Sequence, residues 1–93
     1  MIVKVSQNYI DEGSPMCEHN CAIAMAVRRS AYRVCYVNPQ NIRIYEKGSD
    51  ISFNYEPDNN LRLWINDFDN EEAVEPISIL FKDGKAVIYN EKS

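Results

Sequence analysis

The sequence predicts a small single-domain α+β fold of order β-α-β-β-β-α-β-β, with two helices packed on one face of a mostly antiparallel sheet. Three observations carry that expectation: a two-fold alternation from Arg33 to Tyr55 interrupted by two tight turns, a clean helical stripe after Pro57, and an Asp-Gly hairpin signal near the end. Ninety-three residues hold one domain at most, since domains commonly run about 100–150 residues. The 45% hydrophobic and 26% charged fractions are those of a chain that folds around a core.

Ile2 to Val5 alternate as a first strand, and Ser6-Gln7-Asn8-Tyr9-Ile10 suit a helical turn stopped by Gly13. Ser14 as N-cap and Pro15 at the first helical position predict a long helix from Pro15 to about Ser30. At about 100° per residue, Cys17, Cys21, Ile23, Ala24, Met25, Val27 and Ala31 share its apolar arc. Glu18, His19, Ala22, Ala26, Arg29 and Ser30 fall opposite. Arg28 sits within the apolar arc, where its stem covers apolar surface and its head reaches water, or where it grips an anion.

Arg33 to Val37, Ile42 to Glu46 and Ile51 to Tyr55 form three strands, joined by Asn38-Pro39-Gln40-Asn41 and Lys47-Gly48-Ser49-Asp50. Arg43, Tyr45, Ser52 and Asn54 share the predicted solvent face, with Arg33 and Arg62 nearby. Asp58 or Glu56 caps a second helix whose core stripe is Leu61, Trp64, Ile65 and Phe68, leaving Leu63 exposed. Ile77 to Lys82 and Lys85 to Tyr89 close a hairpin through Asp83-Gly84. An open edge on that hairpin is where a second copy would pair to make a homo-oligomer.

No apolar run approaches the ~20 residues of a membrane span, so no membrane partner is expected. The first residues lack a signal-peptide pattern, which predicts a cytoplasmic location. A net charge of −4 argues against direct nucleic-acid binding and suits a basic protein partner. The negative charge concentrates at Asp67, Asp69, Glu71, Glu72 and Glu75, a segment without Lys or Arg. That run is either a solvated turn or a docking surface, and Leu63, Arg43 and Tyr45 are further partner-binding candidates. Arg28, Arg33 and Arg43 are the candidates for holding an anionic small ligand.

Cysteines Cys17, Cys21 and Cys35 are odd in number and lie in apolar segments, which predicts free core thiols. The alternative is a zinc module using the same three, although no fourth ligand is evident. His19 falls on the opposite side of the predicted helix from Cys17, so a thiol nucleophile would lack its base. The Asp67-Phe68-Asp69 start of a calcium loop fails at Glu72 and Ser78, where glycine and glutamate belong. No phosphate loop or acid–base set is present, so the chain is expected to have no cofactor and no enzymatic activity.

Ile10-Asp11-Glu12-Gly13, Cys21-Ala22-Ile23-Ala24, Phe68-Asp69 and Val74-Glu75-Pro76-Ile77 resemble segments of short, uncharacterised bacteriophage and prophage proteins. Those proteins carry an Ile-x-x-Gly turn, a Cys-x-x-Cys-Pro-Val-Ala-like helix start and a Phe-Asp segment followed by Pro. Here Ala22 replaces the proline, and three residues rather than two separate the cysteines. The resemblance implies a bacterial host cytoplasm and stoichiometric binding to a host factor, such as a CRISPR effector or other antiviral defence protein. Alternatives are a sponge for a nucleotide signal, a zinc module, and a phage assembly or regulatory component.

Overall fold

Short alternating strands gain their backbone partners from neighbours, and the computed structural model supplies them by joining the described strands into one sheet. The elements run β1 (Ile2–Val5), α1 (Gln7–Glu12), α2 (Ala22–Ala31), β2 (Arg33–Asn38), β3 (Asn41–Glu46), β4 (Ser52–Pro57), α3 (Asn59–Asp69), β5 (Ile77–Lys82) and β6 (Lys85–Ile88). The structure describes residues 1–31, 33–46, 48 and 50–89, with the side chains of all but 31, 33 and 34. Lys47 and Ser49 of the second expected turn and the Arg33 side chain therefore lie outside the described residues.

The strand order is β1-β5-β6-β4-β3-β2. Antiparallel pairing joins β1 to β5, β5 to β6, β2 to β3 and β3 to β4. The parallel junction of β4 with β6, at Glu56 and Pro57, makes the sheet mixed. The last hairpin is thus interior, flanked by β1 and β4, and the edge expected there for a second copy does not exist. Its turn has the expected form: Asp83 and Gly84 both take positive φ, at 52° and 75°.

Helix α2 contacts both β1 and β2, the two edge strands, so the sheet curls around it. That wrapping explains why Ala22 and Ala26, expected on the outer side, are fully buried beside Ile23, Ala24 and Val27. Helix α3 starts as expected, with the Asp58 carboxylate accepting from the Leu61 N–H at 2.8 Å. Its stripe Leu61, Trp64, Ile65 and Phe68 enters the same core as Ile42, Ile44, Ile79 and Phe81. Three helices and a curled six-stranded sheet make one α+β domain, with a radius of gyration of 12.0 Å. No described helix is long and apolar enough to cross a membrane.

Two local expectations are corrected. The predicted helix from Pro15 does not begin until Ala22, and residues 15–20 form turns, with Met16 at φ 59°. Long-range bonds outcompete the helix there: Met16 N–H donates to Asp69 Oδ1 at 2.9 Å, and Val37 N–H donates to the Glu18 carbonyl at 2.8 Å. On β4, Phe53 lies opposite buried Ile44 yet is 42% exposed, because β6 covers the flank of β4 only from Glu56 onward.

Candidate functional site

The acidic segment follows directly from how α3 ends. Glu71 turns the chain at φ 59°, the Glu72 N–H donates back to the Asp67 carbonyl at 2.9 Å, and Trp64 Nε1 donates to the Glu75 carbonyl at 2.9 Å. Asp67, Glu71, Glu72 and Glu75 are left exposed around the carboxyl end of α3. Asp11 of α1 joins Glu71 and Glu72 along an open cleft of about 400 Å³ that no described Lys or Arg lines. Glu12, one residue further, is already engaged by Arg29 at 3.3 Å. Carboxylates at the negative end of a helix are locally disfavoured, by about 0.3–1 kcal/mol each. Helix formation alone gives no reason for them.

Asp69 departs from the group. It is half-buried, and its carboxylate holds the Met16 N–H, which anchors the 15–20 loop. Leu63 is 62% exposed on the outer side of α3, four residues before Asp67.

A second constellation occupies the outer face of the meander. Arg43 Nε donates to Asn54 Oδ1 at 3.0 Å and Nη1 to the Tyr45 hydroxyl at 3.3 Å, while Asn41 Nδ2 reaches the same Asn54 oxygen at 3.3 Å. Tyr36 stands edge-to-face with Tyr45 and with His19, at centroid distances of 5.6 and 5.4 Å. Glu18, Tyr36, Asn38, Asn41, Arg43 and Tyr45 enclose a cleft of about 280 Å³. Alternation along β3 and β4 predicts the Arg43, Tyr45 and Asn54 part of this face. The sequence alone places Glu18 and His19 on the solvent side of a helix and so does not show their contribution. The run Glu18-His19-Asn20, with two poor helix formers, was the available signal.

Of the three arginines proposed for an anion, Arg28 and Arg43 do not line one cleft. Arg28 Nη2 donates to Asn20 Oδ1 at 3.3 Å and does not line the meander cleft, Arg43 does, and the Arg33 side chain lies outside the described residues. Arg62 ties the β2–β3 turn to the start of α3, donating to the carbonyls of Pro39 at 2.9 Å and Pro57 at 3.1 Å, and does not line the cleft.

Cys21 and Cys35 are buried in the core and Cys17 is half-buried in the loop, all three as free thiols. Among the described residues, no group of three or more His, Cys, Asp or Glu is placed to share a metal ion, so the alternative zinc set is not assembled. Cys17 lies ahead of the α2 N-terminus, since that helix begins five residues later. Burial is the main cause that pushes the Cys21 thiol up from 9.0 to about 11, and burial likewise pushes Cys35 up. In the unfolded chain these thiols ionise near 9, so between pH 9 and 11 the unfolded state holds fewer protons than the folded one. Stability is therefore expected to be intact below pH 9 and to fall as pH rises toward 11. Urea midpoints at pH 7.5 and 10.5 check this, and Cys21→Ala should remove part of the loss.

No protein-family model, curated protein or solved structure matches this chain significantly.

Proposed function

We propose that the protein is a non-enzymatic, stoichiometric binder that docks its acidic ridge into a basic, nucleic-acid-binding groove of a host protein. The observation that carries this reading is the position of Asp67, Glu71 and Glu72. They gather at the already negative end of α3, and Asp11 from another element joins Glu71 and Glu72 along a cleft that no described Lys or Arg lines. A fold that tolerates such a local conflict commonly does so at a functional surface. A row of exposed carboxylates offers a basic groove the sign and spread of charge that a nucleic-acid backbone offers. Leu63, on the same helix, supplies an apolar contact at the margin. The resemblance to phage proteins makes an antiviral effector of the bacterial host the expected kind of partner.

The test is affinity capture from host cells with the wild-type chain and with the triple variant Asp67→Asn/Glu71→Gln/Glu72→Gln. Asp69 is left in place because it holds the loop. The specific partner should be released by the triple variant, by added DNA or RNA, and by raising salt from about 0.15 to 1 M, which shortens the screening length from about 8 to 3 Å. Retention of every captured protein through all three changes would eliminate the reading.

A further inference from the structure

The meander cleft is separate from the acidic ridge and has a different chemistry. Glu18 and Arg43 line it with opposite charges, yet among the described residues neither makes an ion pair. Glu18 is fixed there through its backbone, whose carbonyl takes the Val37 N–H and so continues the edge of β2. Arg43 is fixed through its side chain: Asn54 and Tyr45 occupy Nε and Nη1, and Nη2 has no partner among the described residues. Asn38 Oδ1 is committed to the N–H groups of Gln40 and Asn41, at 2.9 and 2.8 Å, which leaves the Asn38 amide nitrogen as a donor. Tyr36 and Tyr45 supply aromatic walls. The Arg43 and Asn38 side chains are thus held in place before any ligand arrives, which lowers the ordering cost of binding, while Glu18 is positioned through its backbone.

We propose that this cleft binds a guanine-type base. Such a ring carries two acceptors, O6 and N7, on one edge and two donors, N1–H and N2–H, on the next. Arg43 Nη2 can donate to the first edge, and the Glu18 carboxylate can accept from the second. Adenine reverses the pattern, bringing the N6 donor toward Arg43 and the N1 acceptor toward Glu18. A phosphate would meet one arginine and a repelling carboxylate. The volume of about 280 Å³ lies just below the usual range of ligand cavities, about 300–1,000 Å³, and suits a base with its sugar and any phosphates outside. Tyrosine rings are suited to stacking with the base.

Titration of the full chain with guanosine, guanosine monophosphate, adenosine and inorganic phosphate, followed by amide NMR shifts, tests the assignment. Guanosine should saturate at submillimolar concentration and move the amides of Tyr36, Asn38, Arg43 and Tyr45. Adenosine and phosphate should bind at least about tenfold more weakly, and Glu18→Gln and Arg43→Gln should each cost about tenfold or more for guanosine. Both side chains are exposed, so an unchanged melting temperature is expected to accompany those losses. The monophosphate should bind about as well as guanosine. The assignment is overturned by no saturable guanosine shift up to millimolar concentration, by adenosine binding equally well, by a monophosphate bound far more tightly than the nucleoside, or by unchanged affinity in both variants.

Discussion

Replacing Trp64 by alanine is expected to cost about 3–5 kcal/mol of unfolding free energy, the range for removing a large buried aromatic. A domain of this size holds only about 5–14 kcal/mol in total. The indole is buried, lies parallel to Phe68 at 5.7 Å between centroids, and donates Nε1–H to the Glu75 carbonyl at 2.9 Å. Its loss opens a cavity between α3 and the sheet and frees the acidic segment from the helix. Trp64→Phe separates the two effects. It keeps most of the packing and deletes the hydrogen bond, so it should cost about 1–2 kcal/mol while raising amide exchange across residues 71–76. Denaturant unfolding with hydrogen exchange reads both. If Trp64→Phe leaves exchange in that segment unchanged, the bond does not hold the ridge in shape.

Gly13→Ala is the second large effect, although it adds a single methyl group. A Cβ there would meet the Ala22 backbone nitrogen at 2.6 Å and the Tyr9 carbonyl oxygen at 2.8 Å, both backbone atoms with no side-chain freedom to yield. The expected cost is about 1–3 kcal/mol, as for other insertions into packed regions, and α1 should shift away from the start of α2. The reason for glycine is close approach and not backbone handedness: φ is −68° and ψ is 148°, an extended conformation open to any residue. A stability within about 0.3 kcal/mol of wild type would show that α1 relocates freely.

Helix α3 and the last hairpin were legible because their signals are local. The Asp58 cap and the spacing of Leu61, Trp64, Ile65 and Phe68 need nothing outside the helix, and Asp83-Gly84 dictates its own turn. The stretch from Pro15 to Cys21 was not legible. Ser14-Pro15 and two cysteines four apart imitate a helix start, but the deciding bond joins Met16 to Asp69, fifty-three residues away. The same limit governed the sites. Charge clustering marked Asp67, Glu71 and Glu72, and strand alternation marked Arg43 and Tyr45. Asp11, Glu18 and His19 became members only when α1 and the loop were placed against distant elements. Asp69 shows the converse, a residue of the acidic run that the fold uses for itself.

The pairing of β1 with β5 sets a schedule for synthesis. Ile2 must wait for Leu80 before it gains a strand neighbour, so nearly the whole described chain leaves the ribosome before the barrel-like wrap around α2 can shut. Until then Val3 and Val5 have no β5 beside them, and apolar surface that β5 later covers stays open. A ribosome paused ahead of Ile77 would therefore hold a chain whose β1 has no strand partner rather than a smaller finished domain.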